Sequence, residues 1–314
     1  MGRSVIKVAG RTVPVSNLDK VLYPGGKFTK GQVLEYYSKI AAVMLPHLKN
    51  RPVTLVRFPD GVFRHSFYEK NAPAFTPGWI KTFPVPRSKG GIIKYILIND
   101  LPTILWVANL ASLELHPFLH RAPKINVPTH IVFDLDPGEG VDILACAEVA
   151  LLVRDLLAKL KLKCFAKVSG SKGIQIYVPL NTTVTYNQTA AFARSLAELL
   201  ARQYPARVVS EMSKALRVGK VFIDWSQNNR SKTTVGVYSL RAKRERPFVS
   251  MPVDWKELAQ AIRGRNIESL LFSPDAALAR VKNRGDVFWP MLKLKQHLPQ
   301  KFQNSSAPHS SHES

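Results

Sequence analysis

The chain has 314 residues, 46% of them hydrophobic and 21% charged, enough for a large core in one big domain or two small ones. Lys and Arg total 45 against 22 acidic residues, and a formal net charge of +23 favours polyanionic partners and a strong response to salt. No run of ~18 apolar residues offers a membrane-spanning helix, and the N-terminal residues lack the apolar region of a signal peptide.

The first segments carry candidate anion contacts. Asn17 and Lys20 precede a Gly25-Gly26 turn. Thr29 can cap a helix over residues 30–45, whose apolar positions Val33, Tyr36, Tyr37, Ile40 and Met44 follow the helical period. Lys20 and Lys30 flank the turn. Beside a helix N-terminus they suit a phosphate, although on these residues alone ordinary surface lysines are the default reading. Residues 52–58 read as a strand before an Asp60-Gly61 turn. Phe67 and Tyr68 follow, beside Lys70. Such a pair can stack on a base or be split between core and surface. Arg87-Ser88-Lys89-Gly90-Gly91 is a basic turn into a strand over 92–98, expected as a mobile hairpin at a binding surface. Residues 101–119 are mostly apolar and read as a helix holding Glu114-Leu115-His116-Pro117. His116 is by default a satisfied core histidine, close in sequence to the next strand.

Residues 129–138 carry the most chemistry. Ile131, Val132 and Phe133 read as a short buried strand that a Pro137-Gly138 turn closes. Asp134 and Asp136 are two apart, so on a strand both carboxylates face the same side. Like charges that close are unfavourable unless a cation lies between them, and hard divalent ions take such oxygen donors. Alone, the pair also fits a strand cap followed by an Asp-Pro-Gly turn.

A helix is expected over 141–161, then a hairpin of strands 165–168 and 174–178 joined by Ser169-Gly170-Ser171-Lys172-Gly173. Backbone N–H groups, Ser169 and Lys172 could cradle a phosphate there, and a plain Gly-rich turn is the alternative. Cys146 and Cys164 have no metal-ligand or disulfide-framework spacing and read as core thiols in a reducing compartment. A helix over 186–202 and a short strand over 208–210 come next. The basic loop 213–220 runs into a strand over 221–225, where Asp224 again follows apolar residues. Residues 226–234 are densely polar, residues 235–240 read as a strand, and Arg241 begins a basic run. Helices over 254–263 and 273–282 close the fold, and the tail from about 303 reads as disordered.

Three strand-borne carboxylates beside a Ser/Gly/Lys loop form the inventory for two-metal phosphoryl transfer. No Ser/His/Asp order or zinc spacing competes with it. The chain resembles the polymerase domain of bacterial ligase D, the non-homologous end-joining branch of the archaeo-eukaryotic primase superfamily. The resemblance rests on Phe133-Asp134-Leu135-Asp136-Pro137, Ser169-Gly170-Ser171-Lys172-Gly173 and Ile223-Asp224-Trp225-Ser226-Gln227-Asn228. Further matches are residues 19–24, Glu114-Leu115-His116-Pro117 and 233–241, in the family's order over roughly residues 13–298.

The resemblance implies an α/β (α+β) fold with a mixed, largely antiparallel central sheet and an RRM-like catalytic core flanked by helices. Residues 1–300 would form one primase-polymerase domain: an N-terminal part to about 120, a core at 120–250 and helices at 254–300. It implies Asp134, Asp136 and Asp224 as catalytic ligands of two ions, Mn²⁺ or Mg²⁺. Nucleotide contacts map to His116, Ser169, Lys172, Gln175, Gln227, Lys232 and Arg241. A DNA 5′-phosphate pocket maps to Asn17, Lys20 and Lys30, and template stacking to Phe67 and Tyr68. The basic loops near 87–91 and 213–220 match loops that help pair two DNA ends. Gln175 departs from the histidine usual there and cannot carry charge, so weaker triphosphate or metal support is expected.

The expected function is filling of DNA ends and gaps with NTPs or dNTPs, at a primer 3′-hydroxyl. The alternatives are de novo priming and catalytically weak end bridging. Expected partners are gapped, overhanging or 5′-phosphorylated DNA, with a separate ATP-dependent DNA ligase and a Ku-type protein, in a bacterial cytoplasm at the nucleoid. No membrane partner is expected, since no basic amphipathic helix or lipidation motif is present. No Lys-x-Asp-Gly adenylation motif is present, so nick sealing by this chain is not expected. A stand-alone polymerase and a polymerase part of a longer protein both fit.

Overall fold

The computed structural model describes residues 3–87 and 90–303. Ser88 and Lys89 of the basic turn, and the tail beyond Gln303, lie outside the described residues. Two β-sheets share one continuous buried apolar cluster.

The first sheet is built on Pro52–Arg57. It pairs antiparallel with Phe67–Glu69, with Ile92–Leu97 and with Ser112–Pro117. Helix Lys30–Leu48 packs with this half through Val33, Tyr36, Tyr37, Ile40 and Met44, all buried as their spacing requires. Thr29 caps it in a box with Gln32: each side chain bonds the other residue's backbone N–H. The helix runs past the expected end, through Pro46 to Leu48.

The second sheet has six strands in the order Val208–Val209, Val221–Asp224, His130–Pro137, Ile174–Pro179, Phe165–Val168, Pro252–Val253. Only the first pair is parallel. Helices Ile143–Lys159 and Tyr186–Gln203 complete a strand-helix-strand-strand-helix-strand core, the mixed, largely antiparallel and RRM-like arrangement expected. Alternation along His130–Pro137 buries Ile131, Phe133 and Leu135 completely on one face and turns Asp134 and Asp136 to the other.

Two expectations fail. Residues 101–119 are not one helix. The helix is Leu101–Asn109, Ala111 takes a left-handed φ of 56°, and Ser112–Pro117 is a strand. The Ser-Leu-Glu-Leu-His alternation is a period of two, and a paired strand uses it better than a helix. Residues 235–240 are not a regular strand either: only Leu240–Arg241 pairs, with Phe248–Val249. Gly236 N–H bonds Leu115 O, Tyr238 N–H bonds Ser250 O, and Tyr238 sits at φ 64°. With its hydrogen bonds divided between two partners, the segment cannot form one ladder.

Candidate active site

The six-stranded sheet aligns four polar side chains in one transverse row. Asp134 stands opposite Asp224 on one side and Gln175 on the other, and Gln175 stands opposite Lys167. Residues directly opposite in an antiparallel pair face the same side with Cβ atoms about 4.5–5.5 Å apart. The row therefore reads Asp224, Asp134, Gln175, Lys167, with Asp136 two residues along from Asp134. Burial raises the Asp134 carboxyl above its usual range, and the charges of Asp136 and Asp224 add to the rise. Burial and Asp224 raise Asp136 in the same sense, while Arg217 and Arg241 oppose. Two carboxylates that repel each other on one face form a donor set of hard oxygens, which a divalent cation would relieve.

Asp224 is presently turned toward its own chain. Its carboxylate accepts from Ser226 N at 2.9 Å and from Gln227 Nε2 at 2.8 Å, and Lys232 bonds the Ser226 hydroxyl. So Gln227 and Lys232 are gathered around Asp224. Among the described residues no three acidic, histidine or cysteine side chains converge into a ready metal cage.

The end of the row away from Asp224 is a buried lysine that sequence reading missed, its pKa pushed well below the usual value by burial and by Arg241. Lys167 is fully buried and donates to Gln175 Oε1 at 2.7 Å, to Ser250 Oγ and to Val235 O. This fixes the Gln175 amide, whose Nε2 donates to Thr234 Oγ1 at 2.9 Å. Gln175 is only 2% exposed and its amide is committed within the protein. A lone lysine inside the apolar run Phe165-Ala166-Lys167-Val168 was the available signal.

The Gly loop packs onto this row. Ser169 Oγ accepts from Ser171 N and Gly173 N, so the hydroxyl shapes the turn, while Lys172 is exposed. A side chain on Gly173 would meet Leu135 O at 2.4 Å and Asp136 Oδ1 at 3.3 Å. Gly170, at φ 72°, lies against the Arg241 side chain and Val249. These two glycines let the loop touch both the aspartate strand and Arg241.

His116 and Arg241 meet at a second residue that sequence reading missed, Glu114. Its carboxylate accepts from His116 Nε2 at 2.8 Å and Ala242 N at 2.9 Å, and lies 3.4 Å from Arg241 Nε. Burial pushes the Glu114 carboxyl up, but the His116 bond, Arg241 and the Ala242 N–H outweigh it and hold it down at about 2. Burial lowers the His116 pKa against the pull of Glu114, so the imidazole is neutral at pH 7. With Nε2–H donated to Glu114, Nδ1 is left as an acceptor. Glu114 and His116 alternate with Leu113 and Leu115, a pattern that could have revealed the strand.

Strand Phe67–Glu69 has two faces. Tyr68, 62% exposed, sets its ring 6.3 Å from that of His116. Phe67 lies on the opposite face under the Arg57 guanidinium, 5.1 Å away, and stacks on His65. The same Arg57 acts on Lys30. Burial, then Lys20 and Arg57, lower the Lys30 ammonium to about 8. Lys30 Nζ reaches Ser16 Oγ at 3.5 Å, Lys20 pairs with Asp60 at 2.7 Å, and Asn17 holds the turn at φ 53° by accepting from Lys20 N. Of the three cations beside the N-terminus of helix Lys30–Leu48, Lys20 pairs with Asp60 and Arg57 with Glu69, while Lys30 has no carboxylate partner among the described residues. The structure thus assembles the aspartates, Gln175, Gln227 and Lys232 with His116, Arg241 and the Gly loop. Asn17, Lys20, Lys30 and Phe67 form a separate cluster.

The family model described as the LigD primase-polymerase domain matches residues 29–288. The multifunctional non-homologous end joining protein LigD of Mycolicibacterium smegmatis is 41% identical over 281 residues, 89% of this chain and 36% of that protein. The bifunctional non-homologous end joining protein LigD of Bacillus subtilis is 32% identical over 286 residues, 90% of this chain and 45% of that protein. The chain thus spans less than half the length of these relatives. The polymerase domain of Mycobacterium tuberculosis ligase D, solved in complex with DNA, superposes with a TM-score of 0.81 at 40% identity. That match covers 88% of this chain and 97% of the other.

Proposed function

The chain belongs to the LigD primase-polymerase domain family, and from that premise we propose that it adds nucleotides to a primer 3′-hydroxyl at DNA breaks and short gaps. The observation that carries this reading is the register that sets Asp134 opposite Asp224, with Asp136 on the same face. When bound to these carboxylates, two Mn²⁺ or Mg²⁺ ions supply charge neutralisation for a triphosphate and activation of the attacking hydroxyl. The protein's own groups do the rest. Arg241 and Lys172 attract the phosphates, and the backbone of the Gly loop comes close to them. His116, neutral and accepting at Nδ1, suits a sugar hydroxyl. Gln227, now bonded to Asp224, and Lys232, bonded to the Ser226 hydroxyl, would be free to contact the nucleotide were Asp224 to hold a metal ion. Tyr68, exposed beside His116, and Phe67, on the phosphate-pocket side, are positioned to stack on a template that crosses the strand.

The second cluster is read as the pocket for a DNA 5′-phosphate, formed by Asn17, Lys20 and Lys30. A dianion there would offset the repulsion that depresses Lys30. Lys30→Ala is expected to weaken binding of 5′-phosphorylated gapped DNA about tenfold and of the 5′-hydroxyl form less than twofold. Equal losses on both DNAs in an anisotropy titration would remove the pocket. The bacterial cytoplasm, a separate ligase and a Ku-type protein complete the proposal. Coupled extension and sealing by such a ligase is the test of that pathway.

Gln175 is read as a positioning residue for Asp134. Gln175→His is expected to raise turnover, but only about threefold, because burial at this position would hold the imidazole neutral. A tenfold gain in single-turnover extension would show that charge at this position matters.

A further inference from the structure

The transverse row ends on a side chain that phosphoryl transfer does not itself require. Lys167 is fully buried in strand Phe165–Val168, opposite Gln175. Its three hydrogen-bond partners, Gln175 Oε1, Val235 O and Ser250 Oγ, are all neutral. Taking an amine out of water to meet only neutral groups costs stability that a methionine in the same place would not.

Gln175 shows what those bonds accomplish. Its Oε1 accepts from Lys167 Nζ at 2.7 Å and from the Tyr177 hydroxyl at 3.2 Å, so both lone pairs are taken. Its Nε2 donates to Thr234 Oγ1 at 2.9 Å and to the Asp134 carboxylate, where it opposes the upward pull of burial and Asp136 on that carboxyl. An amide turned over would set Nε2 against the Lys167 donor and Oε1 against a carboxylate. Lys167 enforces this in either protonation state. An ammonium donates to all three partners, and a neutral amine donates to Gln175 and Val235 while accepting from the Ser250 hydroxyl. A fixed donor behind a metal-binding carboxylate holds that carboxylate in one orientation.

We propose that Lys167 is a positioning residue for nucleotide addition: it keeps the Gln175 amide with its N–H turned to Asp134, and through that amide fixes the carboxylate for a metal ion. The proposal rests on the nucleotide-addition reading above. The test compares Lys167→Met, Gln175→Leu and the double variant. Mn²⁺ binding is read from the EPR signal of the free ion, without DNA or nucleotide, beside steady-state extension and urea unfolding. Lys167→Met should weaken Mn²⁺ binding and lower kcat, each about tenfold, with the nucleotide KM within about twofold of wild type. Its urea midpoint should stand at or above that of wild type. In the Gln175→Leu background, Lys167→Met should change Mn²⁺ binding and kcat by less than about twofold. Tyr177→Phe, which removes the longer bond to Oε1, should weaken Mn²⁺ binding about threefold and keeps the proposal testable should Lys167→Met not fold. Wild-type Mn²⁺ binding in Lys167→Met or in Tyr177→Phe, or losses that multiply in the double variant, would overturn the proposal. So would a Lys167→Met chain with a lowered urea midpoint and undiminished Mn²⁺ affinity, which would make the lysine purely structural. Wild type that extends no primer would instead overturn the nucleotide-addition reading, and the Mn²⁺ titrations would still decide the Lys167 contact.

Discussion

Asp134→Ala is expected to lower primer extension by at least ~10³-fold while changing affinity for gapped DNA less than about threefold. The asymmetry follows from where Asp134 sits. It is the central carboxylate of the row, flanked by Asp224 and Gln175 and two residues from Asp136. Its loss removes a donor that no neighbour can replace, because Gln175 is committed to Lys167 and Thr234. Affinity for gapped DNA, by contrast, is expected to rest on cations outside this row, Lys20 and Lys30 among them. Removing a carboxylate also relieves repulsion with Asp136 and Asp224, so the variant should unfold at no lower urea concentration than wild type. Extension measured with Mn²⁺, set against DNA binding without nucleotide, separates the two effects. Equal extension by wild type and variant would sink the assignment of this row to catalysis.

Glu114→Gln is expected to raise the nucleotide KM and cut kcat/KM about a hundredfold, although Glu114 is itself buried behind the proposed nucleotide contacts His116 and Arg241. One carboxylate orients both His116 and Arg241. A glutamine can accept from one of them but brings its own N–H against the other donors. Glu114→Ala should further cost about 3–5 kcal/mol of stability, since it leaves buried charge unpaired. The pH dependence has a definite sign. The folded carboxyl is held at about 2, below its ordinary 4.5, so its ionisation contributes stability above about pH 4.5. That contribution is lost as pH falls from 4.5 toward 2. Urea midpoints of wild type and Glu114→Gln should therefore converge over this window. A gap that stays constant from pH 6 to 3 would contradict the ion-pair role.

Much of the fold was legible where one local pattern acted alone. Thr29 announced its helix cap, and the Gly170–Gly173 turn between two apolar runs announced its hairpin. Asp134 and Asp136 declared their common face through spacing. What stayed hidden was set by long-range pairing. Leu113 and Leu115 suit a helix or a strand equally until Pro52–Arg57 offers an edge to pair with. Tyr238 could not be seen to leave the extended region, because its φ of 64° is held by bonds to Ser250 and Asp286. Glu114 and Lys167 were overlooked because a charged residue between apolar ones reads as a solvated face. Here both are turned inward, onto partners remote in sequence.

The transverse row has a bearing on how the protein matures. Asp134 and Asp224 are separated by 90 positions and meet only through the pairing of His130–Pro137 with Val221–Asp224. Contacts that close long loops form slowly, and a one-residue slip would carry Asp224 to the opposite face of the sheet. A chain with all its helices and the 165–179 hairpin in place, but the Val221–Asp224 strand misregistered, would look nearly native and be inert. On refolding from urea, return of extension activity should lag behind recovery of helical signal.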